Sequence, residues 1–204
     1  MLGIEYFYAA HSAFAYLGSA HFMEIAAAAN RRIVHKPIDL NRVISAAGAI
    51  TFRERSKAHR DYFFRREVGR WSEHRNAPVM DGRPTYHDRD ITLPNSMLIA
   101  GVEQGYNVDQ LSHAMLEAHW HKDADLSDWA TLATLGLSVG LNPEPLLQAA
   151  LSPEIQAIYQ ANTTEAIERS VFGSPTYFVD GDMFYGQDRL ELVERALLQP
   201  YAGL

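Results

Sequence analysis

A proline inside a central strand removes a ladder donor, so Pro175 reads as the entrance of a strand and not its interior. That constraint organises the tail from Phe172 to Leu198, FGSPTYFVDGDMFYGQDRLELVERALL. Gly173-Ser174-Pro175 is a turn. Thr176-Tyr177-Phe178-Val179, β-branched and aromatic, is the strand that follows. Asp180-Gly181-Asp182 supplies a hairpin turn, because glycine accepts the positive φ such turns need. Met183-Phe184-Tyr185 is the return strand. Gly186-Gln187-Asp188 closes it and opens a helix whose apolar face is Leu190, Leu192, Val193, Ala196 and Leu197. From the residues alone, the Ser174–Pro175 bond is an ordinary trans bond at a strand entrance, since cis is the minority form.

The other end of the chain answers this tail. Ile4 to Ala9 reads as a strand, Ala10-His11-Ser12 as a short connection, and Ala13 to about Asn30 as an apolar helix. Ile33 to Asp39 is a second strand, so the chain opens β-α-β with a parallel pair and a right-handed crossover. Between Asn41 and Phe172 little reads as strand. Lys57–His74, Pro94–Gly105, Val108–His121, Leu126–Gly140, Pro143–Leu151 and Pro153–Ser170 read as helices, and 76–93 as a loop holding Pro78, Gly82 and Pro84. Asn107 and Ser152 are candidate N-caps. Together the ends predict a four-stranded mixed sheet. The fold class is α/β, a thioredoxin-like domain of residues 1–40 and 172–204, with residues 41–171 as an inserted all-helical domain.

Composition narrows the chemistry. The 204 residues carry 18 basic and 25 acidic side chains, a net charge of −7, which argues against nucleic acid or an anionic membrane as the main partner. No apolar run is long enough to span a bilayer. The first residues lack a basic stretch followed by an apolar one, so the cytoplasm is the expected location. There is no cysteine, which removes disulfide exchange, thiolate-held metals and a cysteine nucleophile from consideration.

Ser12 stands on the loop before the first helix, facing the Pro175 turn in such a fold. Helix N-termini offer unpaired N–H donors and partial positive charge, and they stabilise anions, thiolates included. A serine there either caps the helix or donates its hydroxyl to a thiolate that another molecule brings. Gln187 and Asp188 open the last helix: Asp188 suits an α-ammonium and the helix N–H groups an α-carboxylate, while Gly186 permits close approach. Capping explains Asp188 equally. Arg55, Lys57, Arg60, Arg65 and Arg66 form either a solvated basic face or a carboxylate site. Tyr62, Phe63, Phe64 and Trp71 are either core or the lining of an aromatic pocket. None of the nine histidines has metal-ligand spacing. His11 is the one placed near Ser12, and most of the others read as surface or satisfied polar residues.

The segment FGSPTYFVDGDMFYGQDRL closely resembles the C-terminal signature of bacterial 2-hydroxychromene-2-carboxylate isomerases, relatives of the kappa-class glutathione transferases. IEYFYAAHSAFAYLGSA is similar to the same family's strand–loop–helix, which reads Ser-Pro-aromatic-Ser-Tyr-Leu. The resemblance implies glutathione as cofactor, a homodimer, and a small aromatic carboxylate as substrate. It places the catalytic serine on Ser12 and the residue before a cis proline on Ser174, with Pro175 as that proline. The γ-glutamyl segment falls on Tyr185, Gly186, Gln187 and Asp188, and a substrate contact on Arg55. Trp71 and His11 join the expected substrate contacts. The chain departs from the pattern at Ala13, Ala15 and Ile44. The implied reaction is cis-trans isomerisation by reversible addition of a thiolate. A kappa-like transferase and a non-catalytic thioredoxin-like binding module are the alternatives.

Overall fold

The computed structural model describes residues 3–50 and 54–203. Strand β1 (Gly3–Tyr8) lies at the centre of a four-stranded sheet, parallel to β2 (Arg32–Pro37) and antiparallel to β3 (Thr176–Val179). β4 (Asp182–Tyr185) pairs with β3 and ends the order β2-β1-β3-β4. Asp180 and Gly181 both take positive φ, 50° and 97°, the mirror-type turn that matches the twist of its flanking strands. The Ser174–Pro175 bond is cis, as the family resemblance implies and the residues alone do not.

Both faces of the sheet are covered, which is why β1 is apolar at nearly every position. Ile4, Tyr6 and Tyr8 face the helix α1 (Ala13–Ala28) in one large core, and Phe7 points the other way into a second cluster with Ile38, Val43, Ala166 and Phe178. Arg169 closes that second face: its guanidinium lies 3.7 Å from the Phe178 ring and pairs with Glu5 at 2.8 Å.

The described residues of 41–171 are helical except for the loops between. α2 (Leu40–Ala46) is not among the helices read from the sequence; Asp39 caps it by accepting from the Arg42 amide, and Val43 anchors it. α3 (Lys57–Asp61) runs through a π-helical turn, Tyr62–Glu67, into α4 (Val68–Arg75), so the expected charged helix exists with one change of hydrogen-bond register. α5 (Thr92–Glu103), α6 (Asp109–Lys122), α7 (Trp129–Ser138), α8 (Pro143–Ala150) and α9 (Pro153–Glu168) follow. Ser152 caps α9 through the Ile155 amide, whereas Asn107 accepts from the Asp109 amide one residue ahead of the true cap position. The large core is shared: α5 packs on β2, α6 packs on α1, and the cluster runs unbroken from Ile4 to Leu146 and Leu147. Among the described residues no helix is long and apolar enough to cross a membrane.

A 3-10 turn, Gln187–Arg189, leads into α10 (Leu190–Leu198). Leu190, Val193 and Ala196 are buried, but Leu192 is 43% exposed and does not belong to the apolar face. Two positions on a helix lie about 200° apart, so the inward turn of Leu190 sends Leu192 to solvent. α1 approaches this turn at Gly18, where a Cβ would lie 2.6 Å from the Gln187 Cβ and 3.2 Å from Leu190 Cδ1. Gly18→Ala is therefore expected to cost about 1–3 kcal/mol through overpacking, despite alanine's better helix propensity. Denaturant unfolding checks this; an unchanged midpoint would mean that the 3-10 turn gives way freely.

Candidate active site

Two loops meet at the C-terminal edge of β1 and the entrance of β3. The Ala9 amide donates to Ser174 Oγ at 3.1 Å, and Ser12 Oγ donates to the Ser174 carbonyl at 3.2 Å. The same Ser12 oxygen accepts from the Ala15 amide at 3.3 Å, so Ser12 caps α1 and also reaches across to Ser174. On the far side of Pro175, its carbonyl accepts from the Gly186 amide at 2.9 Å. Behind the first loop, the side chain of Asn95 accepts from the Ala10 amide and donates to the Ile38 carbonyl and to Tyr159. Trp120 Nε1 donates to the His11 carbonyl at 2.8 Å.

These loops floor a cavity of about 460 Å³. Of the residues singled out in the sequence, His11, Ser12, Arg55, Ser174 and Tyr185 line it, as do Ala13 and Ile44, two of the positions that depart from the family pattern. Phe14, Phe63, Phe64 and Trp120 give it an aromatic wall, two of them carried in by the π-helical turn. Burial raises the Tyr185 phenol above its usual range, and the Arg55 charge nearby opposes the rise.

Pro175, Gly186, Gln187, Asp188 and Trp71 do not line the cavity. Gly186 has φ 101°, and a Cβ there would lie 2.3 Å from the Asp188 carboxylate, which folds back over it. Asp188 pairs with Arg189. Gln187 turns inward. Its side-chain oxygen accepts from Arg75 Nε at 3.1 Å and its carbonyl from Arg75 Nη2 at 3.2 Å. Trp71 packs its ring 5.5 Å from the same Arg75 guanidinium.

The rest of the wall comes from the loop between α4 and α5, which sequence reading left as a connection. Arg83, His87, Asp88 and Arg89 all line the cavity. Arg83 and Asp88 form a two-pronged pair at 2.7 and 2.5 Å. A second cavity of about 400 Å³ shares Phe64, Arg83 and Asp88 and adds Arg60 and Arg65. Loops of this length inside a compact fold are usually functional, and that was the available signal.

His11 is joined by two further imidazoles, His87 and His119, whose place beside it the sequence did not single out. His87 and His119 lie edge to edge and nearly coplanar, ring centroids 5.2 Å apart and planes 21° apart, and His87 lies 4.8 Å from His11. Burial, reinforced by the neighbouring imidazoles and Arg83, pushes His11 down to about 3 and His87 down to about 2. Burial also lowers His119, against the pull of the Ala124 carbonyl. Among the described residues, no group of His, Asp or Glu side chains is placed to hold a metal ion.

The chain matches the DSBA-like thioredoxin domain family over residues 3–198. The 2-hydroxychromene-2-carboxylate isomerase of Sphingobium xenophagum is 27% identical over 203 residues, covering 96% of this chain and 97% of that protein. A solved 2-hydroxychromene-2-carboxylate isomerase aligns with a TM-score of 0.79 at 24% identity, over 97% of this chain and 95% of its own. The cytosolic disulfide reductase DsbM from Pseudomonas aeruginosa, solved with GSH, aligns at 0.64 and 15% identity, over 98% and 94%.

Proposed function

This chain belongs to the DSBA-like thioredoxin domain family, and from that premise we propose that it is a glutathione-dependent cis-trans isomerase of 2-hydroxychromene-2-carboxylate or a similar intermediate of aromatic breakdown. One observation carries the reading. The Ser12 hydroxyl sits at the N-terminus of α1, aimed across at Ser174, in a chain without cysteine. Such a site suits a thiolate that arrives with another molecule. Full-length similarity to named isomerases supports the substrate class.

The residues present fit glutathione. The Ser12 hydroxyl donates one long bond, to the Ser174 carbonyl, so its proton can swing to a sulfur at small cost while its oxygen keeps the Ala15 amide. At Gly186 the Asp188 carboxylate folds into the space a side chain would fill, at the start of the last helical turn, where it suits an α-ammonium. Glutathione held there would supply a thiolate nucleophile for reversible addition to a conjugated carbon of the ring-opened substrate, the chemistry that would free the former double bond to turn. Ser12 and the N-terminus of α1 hold negative charge on the sulfur. Arg55 faces the substrate carboxylate, and Phe14, Phe63 and Phe64 face its aromatic ring and keep water out.

Calorimetric titration with glutathione, followed by turnover of 2-hydroxychromene-2-carboxylate, tests the reading. Net consumption of glutathione would make the protein a transferase, and no binding would make it a non-catalytic module. Ser12→Ala sharpens the test. A free thiol ionises near pH 8.5, and a hydrogen bond to the anion is worth about 1.5–3 kcal/mol. The variant is expected to raise the pKa of bound glutathione and to lower turnover roughly 10- to 100-fold. A serine that only caps α1 predicts a loss of about 1 kcal/mol of stability instead, with the ultraviolet titration of the bound thiol unmoved.

A further inference from the structure

His87 faces the cavity, and thiol chemistry at Ser12 gives it no task. Its hydrogen bonds fix where its proton is. His119 Nδ1 lies 3.1 Å from the Ala124 carbonyl, which can only accept, so that nitrogen carries a proton. A buried neutral His119 then presents a lone pair at Nε2. His87 Nδ1 lies 2.9 Å from that lone pair and donates to it. A neutral His87 is thereby left with a lone pair at Nε2, and this nitrogen has no partner among the described residues. The chain Ala124–His119–His87 thus holds one imidazole in a single tautomer, with its basic nitrogen as the only one left to meet a bound molecule.

The proposed substrate needs such a base. In 2-hydroxychromene-2-carboxylate one carbon carries a hydroxyl, a carboxylate and the ring oxygen, and the double bond is locked inside the ring. Nothing can rotate until that cyclic hemiketal opens. Resting on the reading above, we propose that His87 Nε2 is the proton-transfer group that opens the hemiketal ring. The C2 hydroxyl gives its proton to Nε2, and its O–H electron pair becomes the second bond of a C2 carbonyl. The bond from C2 to the ring oxygen breaks, with the pair leaving on that oxygen as a phenolate. His87 then returns the proton to the phenolate and is neutral again, so protons and electrons balance.

The transient imidazolium shares its charge through the Nδ1–H bond with His119, whose own Nδ1–H stays on the Ala124 carbonyl. Asp88 on the same loop, and Asp123 and Asp125 after α6, favour that cation, while Arg83 and His11 oppose it. Ser12 is not a substitute, since an unassisted hydroxyl is a far weaker base than an imidazole.

His87→Asn keeps a donor toward His119 and removes the base. With the cyclic substrate its kcat is expected to fall roughly 10²- to 10⁴-fold, the usual reach of general acid–base catalysis. Glutathione affinity and KM should hold. The discriminating substrate is the phenol methyl ether of the ring-opened cis acid, which cannot cyclise. Its isomerisation should be as fast in His87→Asn as in wild type, and slow in Ser12→Ala. Equal loss on both substrates would make His87 a structural residue and overturn the proposal, as would no loss on either. A wild-type protein inactive on both would overturn the isomerase reading itself and the inference with it. Nitrogen-15 NMR of the imidazoles gives a readout independent of activity. His87 should be the Nδ1–H tautomer with bare Nε2 throughout pH 5–8, and a proton on Nε2 would refute the assignment.

Discussion

Taking the protein from pH 7 to pH 5 is expected to remove about 4 kcal/mol of folding stability through two imidazoles alone. His11 and His87 have folded pKa values of about 3 and about 2, set first by burial. In the unfolded chain both return to about 6.5. Below that value the unfolded state binds protons that the folded state refuses, so stability rises with pH in this window and falls as acid is added. The loss begins near pH 6.5 and continues down to the folded values. For each group, integrating from pH 7 to pH 5 gives about 2 kcal/mol, and the result depends only on both folded values lying below 5. His113 and His119 are also lowered by burial and add to the loss. Glu5, Glu117 and Glu191 have depressed values too, but their contribution is lost as pH falls below the usual carboxylate range, beneath this window. For a chain of this size the shift in Tm is roughly 8–16 °C. Urea unfolding at pH 7, 6 and 5 measures it directly. Equal stabilities at pH 5 and pH 7 would mean that the imidazole cluster takes up protons while folded. His87→Phe, which removes one of the two groups, should remove about half of the slope. If His87 works as a base, the protein meets its acid limit by unfolding before that base is titrated.

The sheet was legible in the sequence because its signals are local. Pro175, the Asp180-Gly181 turn and the β-branched and aromatic residues of β3 act within a few residues of themselves. α2 was not legible, since a helix of 7 residues has little periodicity and draws its stability from Val43 packing on Phe7, Ile38 and Ala166. The cavity divides in the same way. Ser12 and Ser174 sit on turns whose chemistry is readable, and the cis bond followed from the resemblance. His87, Arg83 and Asp88 sit on a loop held by distant partners: the Met80 amide donates to the Trp120 carbonyl at 2.8 Å, and Thr85 donates to the Asp123 carboxylate. No spacing relates residue 87 to residues 11 and 119, so their meeting is a tertiary fact. Gln187 turns inward for a comparable reason, since Arg75 arrives from α4.

Asn95 is the hidden support of the Ser12 loop, and Asn95→Ala is expected to cost about 3–5 kcal/mol and to weaken glutathione binding as well. The side chain is wholly buried. Its oxygen accepts from the Ala10 amide at 2.9 Å, and its nitrogen donates to the Ile38 carbonyl at 3.2 Å and to the Tyr159 hydroxyl at 3.1 Å. One residue on α5 thus ties the active-site loop to the end of β2 and to α9. Alanine leaves an amide and a carbonyl without partners in the interior, each costing about 1–3 kcal/mol, and opens a small void besides. The Ala10 amide lies next to His11 and Ser12, so the loosened segment is the one that positions the hydroxyl. Stability and ligand affinity should therefore fall together, unlike in Ser12→Ala, where the thiol responds and the fold barely does. Denaturant unfolding paired with glutathione calorimetry separates the two patterns. An Asn95→Ala protein with a wild-type midpoint would mean that water takes over all three hydrogen bonds. One that is destabilised but binds glutathione normally would show that the loop keeps its shape through the Trp120 bond to the His11 carbonyl alone.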